Sequence, residues 1–122
     1  MAAGIYNFTI EQGTTFTREF KYKNSEGVAV PLTTYAVRMQ IRKTIGSSSP
    51  ELSLTETATD GGSILAVGSG DNSNVITLTI SAADTAAMTF DTAVYDLEID
   101  LLGVVTRLLQ GKIKLSKEVT RD

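Results

Sequence analysis

Ser81-Ala82-Ala83-Asp84-Thr85-Ala86-Ala87-Met88 runs into Asp91-Thr92-Ala93-Val94-Tyr95-Asp96-Leu97-Glu98-Ile99-Asp100-Leu101. After a break at Gly103 comes Leu108-Leu109-Gln110-Gly111-Lys112-Ile113-Lys114-Leu115. The first piece reads as a short helical turn. Ser81 stands at its N-cap, where the hydroxyl can accept from the N3 backbone N–H, and Asp84 stands at N3, a weaker form of the capping box. Tyr95, Leu97, Ile99 and Leu101 alternate with Asp96, Glu98 and Asp100, the period of a half-buried strand. A last strand follows the Gly103 break. Turn, strand and final strand together spell the closing hairpin of a Greek-key β-sandwich, and the turn is short enough to bridge one sheet to the other.

Upstream, the same alternation recurs in short runs. Phe8 and Ile10 flank Thr9 ahead of Gly13. Phe16, Phe20 and Tyr22 share one parity. Asn24-Ser25-Glu26-Gly27 is a turn by residue type, and Val28 to Leu32 reads as extended, with Pro31 at an edge or a strand end. Tyr35, Val37, Met39 and Ile41 alternate with Arg38, Gln40 and Arg42. Leu52 and Leu54, then Ile64 to Val67, then Ile76, Leu78 and Ile80 complete the series, separated by loops at 46–50 and 68–74. Seven or eight short strands with one helical turn predict an all-β, immunoglobulin-like β-sandwich. The predicted core is Phe8, Phe20, Val37, Met39, Ile41, Leu78, Ile80, Leu97, Ile99 and Ile113.

Composition narrows the chemistry. The chain has 122 residues, a single domain by length, enough to bury roughly two-thirds of its unfolded surface. It has no cysteine and no histidine. Disulfides, thiolate metal sites and cysteine nucleophiles are therefore excluded, and so are the commonest general base and the Ser-His-Asp triad. Net charge is −3, with both signs dispersed and no clustered Lys and Arg of the kind a nucleic-acid footprint needs. The start of the chain carries no signal-peptide pattern, and no apolar run approaches the roughly 20 residues of a bilayer span. The expectation is a protein with no nucleic acid, membrane or small-molecule substrate as partner, no cofactor and no metal.

Two resemblances follow from these residues. Asp91-Thr92-Ala93-Val94-Tyr95 resembles the Asp-x-Ala-x-Tyr corner ahead of strand F in immunoglobulin variable domains, where the Tyr hydroxyl bonds back to upstream backbone. Leu97 occupies the place of the family's Cys. The second spans nearly the whole chain: Ile10-Glu11-Gln12-Gly13-Thr14-Thr15-Phe16, Tyr22-Lys23-Asn24-Ser25-Glu26-Gly27, Val30-Pro31-Leu32-Thr33, Tyr35 to Arg42, Val94 to Glu98, and Leu108-Leu109-Gln110-Gly111-Lys112-Ile113. This pattern resembles the small immunoglobulin-like virion proteins of tailed bacteriophages. The resemblance implies a non-enzymatic structural component of the virion, assembled in the host cytoplasm. It would sit in the tail, baseplate, neck or fibre attachment, and contact other virion structural proteins in multiple symmetric copies. Head decoration is the alternative place. A carbohydrate-binding module for host-surface attachment, using Tyr6, Tyr22, Tyr35 or Tyr95, is the alternative of another class.

The candidate interface residues are Ile5, Tyr6, Phe8, Arg18, Arg38, Arg42, Lys117, Val119 and Arg121. Gly4-Ile5-Tyr6-Asn7-Phe8 and Lys117-Glu118-Val119-Thr120-Arg121 flank the sandwich, either as docking arms or as strands that finish the sheet. Arg38 and Arg42 face Asp96, Glu98 and Asp100 across two strands expected to pair, either a docking surface or a cross-strand ion ladder on a solvated face. The acidic trio is also a calcium candidate, as is Asp71-Asn72-Ser73-Asn74, though neither matches ordinary calcium spacing. Asp91, Asp96 and Glu98 could be cast as glycosidase carboxylates, but no Trp is present to stack a sugar. Arg18 shares the parity of Phe16 and Phe20. It marks a bulge, a position beyond the sheet edge, or a hydrogen-bonded contact at a subunit interface.

Overall fold

A computed structural model describes residues 4–119. Among them are nine strands: β1 (Gly4–Ile5), β2 (Phe8–Glu11), β3 (Phe16–Lys21), β4 (Ala36–Arg42), β5 (Leu52–Thr55), β6 (Ile64–Val67), β7 (Val75–Ile80), β8 (Thr92–Leu101) and β9 (Val104–Ser116). One short helix, α1 (Ala82–Ala86), joins β7 to β8, and a 3-10 turn spans Gly70–Asn72. The larger sheet has the order β1-β9-β8-β4-β5, with β2 also on β9; the smaller has the order β3-β7-β6. In immunoglobulin terms β3, β7 and β6 take the places of B, E and D, and β9, β8, β4 and β5 those of G, F, C and C′. The first strand, split into β1 and β2, lies parallel to β9 at the edge of the larger sheet.

Alternation explains the layers. In β4 and β8 every second residue is buried, and the buried ones pair across the strands: Val37 with Ile99, Met39 with Leu97, Ile41 with Tyr95. β7 presents Ile76, Leu78 and Ile80 from the other sheet, and Leu65 pairs with Leu78. Nine of the ten predicted core residues are buried; Phe20, on the edge strand β3, is only half-buried and packs against the core beside Tyr6. Val28 to Leu32 is not a strand. It makes one bridge, Lys23 to Ala29, and ends by burying Leu32 fully in the core, its N–H donating to Ser73 O.

β9 begins at Val104, earlier than the expected Leu108. The pairing steps from Leu97–Leu109 to Glu98–Arg107, so Leu108 is an extra residue in a bulge. That insertion switches the parity of 104–107 relative to 109–115, which hides the first part of the strand from any single alternating pattern.

The helical turn forms as its sequence suggests, with Ser81 Oγ accepting from Asp84 N. The reciprocal half differs. Asp84 turns its carboxylate to the hydroxyls of Ser63 and Thr59, and Ser63 Oγ in turn accepts from Ser81 N at 2.9 Å. Buried Thr85 donates to Thr14 O at 2.7 Å and accepts from Gly13 N at 3.0 Å. The turn is thus fastened to the β5–β6 connection on one side and to the β2–β3 connection on the other.

Candidate interaction surfaces

The N-terminal arm is seated by one tyrosine and one glycine. Buried Tyr95 donates its hydroxyl to Tyr6 O at 2.6 Å, between β1 and β2. Burial, with the neighbouring Tyr6 adding to it, pushes the Tyr95 hydroxyl well above its ordinary value. Tyr6 N donates to Gln110 O at 3.0 Å, and Asn7 Oδ1 accepts from Lys112 N at 2.8 Å. The arm backbone crosses so close to Gly111 that a Cβ there would collide with Tyr6 O. The Tyr95 hydroxyl does reach upstream backbone, as the corner resemblance implies, but across to the far end of the chain rather than to a local turn.

Tyr6 projects from this crossing toward the smaller sheet. Its ring lies 5.8 Å from both Phe8 and Phe20, and its hydroxyl accepts from Arg18 Nε at 3.0 Å. The Arg18 guanidinium sits 4.8 Å from the Phe16 ring, a cation–π contact, and also donates to Thr17 O. β3 pairs with β7 in continuous register, so no bulge is present; Arg18 stays exposed because it faces the open flank of an edge strand. Phe8, read from the sequence both as core and as a candidate interface residue, lies in the core: it is 7% exposed and stacked on Phe16.

The outer face of the larger sheet carries the expected ladder in altered form. Arg38 Nε donates to Glu98 at 3.0 Å, and Arg38 Nη1 reaches Asp100 at 3.4 Å. The hydrogen bond to Glu98 leads in raising the Arg38 pKa. Asp96 pairs instead with Arg107 of β9 at 3.4 Å. Arg42 leaves the ladder: it donates to Ser47 O and to Gln40 Oε1, both at 2.8 Å, and so fixes the β4–β5 loop. With their arginines in place, the acidic strand residues form ion pairs rather than a cation cage. No cluster of three or more potential metal ligands occurs among the described residues.

The fixed loop walls an open groove of about 530 Å³ on this face. Val94 and Gln40 contribute to its floor, Ile5 to one side and Ile45 to the other, with Arg42, Arg107 and Lys112 around it. Ile5 and Ile45 are 76% and 89% exposed. At the other end of β8 is the β8–β9 turn, Leu102-Gly103, where both residues have positive φ, 52° and 91°. This is the handedness a two-residue hairpin needs, and Asn-Gly is its favoured filling. Leu102 is 97% exposed, followed by Val104 at 70%.

Of the candidate interface residues, Ile5 and Arg42 meet at the groove, Tyr6 and Arg18 meet on the opposite flank, and Arg38 stands alone at the ladder. Lys117 pairs with Asp91 at 2.9 Å, and Val119 is fully outward, beyond the end of β9. Arg121 and Thr120 lie outside the described residues. The N-terminal arm finishes the sheet, while Lys117–Val119 leaves it. Ile45, Leu102 and Val104 escaped the sequence reading. The available signal was an apolar Leu where a hairpin turn calls for Asn. No protein-family model matches the chain, and no curated protein matches it at a significant level.

Proposed function

We propose that this chain is a non-enzymatic structural component of a tailed-phage virion, in the tail, baseplate, neck or fibre attachment, acting through repeated protein–protein contacts. The extended pattern from Ile10-Glu11-Gln12-Gly13 to Leu108-Leu109-Gln110-Gly111 motivates this reading. The observation that carries it is the outward Leu102-Gly103 turn, where an apolar side chain is held in a backbone conformation that disfavours it. An exposed Leu at that position is useful to a protein that is covered there. Support also comes from the carboxylates of β8, engaged by Arg38 and Arg107 on a solvated face. The tyrosines offer less to a sugar: Tyr95 is buried, Tyr22 and Tyr35 are half-buried against the core, and Tyr6 is 37% exposed.

Quantitative mass spectrometry of density-purified particles tests the reading. The expected result is this chain at a fixed multiple of copies, co-purifying with isolated tails. Co-purification with tailless heads moves it to decoration. Absence from particles overturns the virion reading, and binding to a cell-wall polysaccharide array would then establish the carbohydrate-binding alternative.

A further inference from the structure

We propose that copies of this chain associate head to tail, the Leu102-Gly103 hairpin tip of one copy seating in the groove between Ile5 and Ile45 of the next. This deepens the virion reading by naming one partner, a second copy, and one contact.

Four observations converge on that occupant. The tip is an apolar projection, with Leu102 97% exposed. The groove is its counterpart, an apolar-walled depression of about 530 Å³, within the range of sites that bury a compact apolar group. The charges match: the strand end beside the tip carries two carboxylates, Glu98 and Asp100, both paired with Arg38, while Arg107, opposite Glu98 in the register, turns its guanidinium back to Asp96 of the groove. The groove is ringed by Arg42, Arg107 and Lys112 against the single carboxylate of Asp96. Finally, a copy cannot fill its own groove. Groove and tip are separated along β8 by the run from Val94 to Leu102, about 25 Å at strand rise.

The two patches differ, so the contact is heterologous. Each bound copy still offers a free tip or a free groove, and the contact propagates into a ring or an open filament. The strained turn fits this role. Asn at 102 would satisfy the positive φ but would remove the side chain that anchors the contact.

The test uses two variants of the full chain. Leu102→Asn disables the tip and suits the turn. Ile45→Asp disables the groove at an exposed loop position and sets a carboxylate against the acidic tip. Circular dichroism and thermal melting confirm that both fold. By sedimentation velocity up to about 1 mM, where a millimolar contact is roughly 40% occupied, the wild-type chain is expected to form concentration-dependent oligomers. Each variant alone should associate roughly 10-fold more weakly or not at all. An equimolar mixture should give a 1:1 dimer and stop there, since only one tip and one groove remain intact. A wild-type chain monomeric throughout, variants that associate like wild type, or a mixture that stays monomeric would each overturn the contact. The assay uses purified chain alone, so its failure leaves the presence of the protein in particles as a separate result.

Discussion

Tyr95 holds the N-terminal arm through a single hydroxyl, and its removal has a calculable consequence. Tyr95→Phe leaves Tyr6 O without its partner and is expected to lower stability by about 1–2 kcal/mol at neutral pH, read from the urea midpoint. The effect depends on pH. The folded-state pKa of Tyr95 is raised, so its contribution is complete below the ordinary tyrosine value of about 10 and is lost as pH rises from there toward the folded value. The gap between wild type and Tyr95→Phe should therefore narrow above about pH 10. Gly111→Ala forces the arm away from β9, and should speed hydrogen exchange at Tyr6 N and Lys112 N. Leu102→Asn should raise the stability of the single chain by about 1 kcal/mol, since Asn tolerates left-handed backbone better than Leu does. At this scale the Asp-x-Ala-x-Tyr string was legible as a corner. The acceptor of its hydroxyl was not, because nothing local in sequence links residue 95 to residue 6.

The connection carrying α1 shows what an element owes to its neighbours. A helix of this length has almost no stability of its own. Its N-cap was readable from Ser81 and Asp84; its tethers to Ser63, Thr59 and Gly13 were not, because each is a long-range hydroxyl contact with no periodic signature. Thr85→Val keeps the shape and removes both hydrogen bonds of the hydroxyl to the β2–β3 connection. It should cost about 2 kcal/mol in chemical denaturation. β4 and β8 were legible because one face of each is buried and the other wet. β9 was legible only past its bulge, where the parity of Leu109 to Leu115 is unbroken. Arg18 broke the pattern of β3 for a reason of position: an edge strand can turn a cation outward on its inner face when a neighbouring ring covers the flank.

For the whole molecule, the layers and the core followed from alternation, while the contact features did not. Grooves and hairpin tips arise from how loops are placed over sheets, and residues such as Ile45 and Leu102 carry no pattern beyond being apolar in loops. The sandwich sets an exposed apolar turn and an apolar-walled groove at two ends of the larger sheet. Carbodiimide cross-linking of purified tailed particles, read by mass spectrometry, probes the proposed role directly. The Lys117–Asp91 ion pair at 2.9 Å supplies an internal control within each copy. The expected result is that links also run from the lysines of this chain to carboxylates of neighbouring virion proteins, including Lys112 to Asp100 of another copy. Within one copy, Lys112 and Asp100 lie about 20 Å apart along the strands, beyond a zero-length link. A chain missing from the particles, or one that yields only internal links such as Lys117–Asp91, would contradict a structural role in the virion.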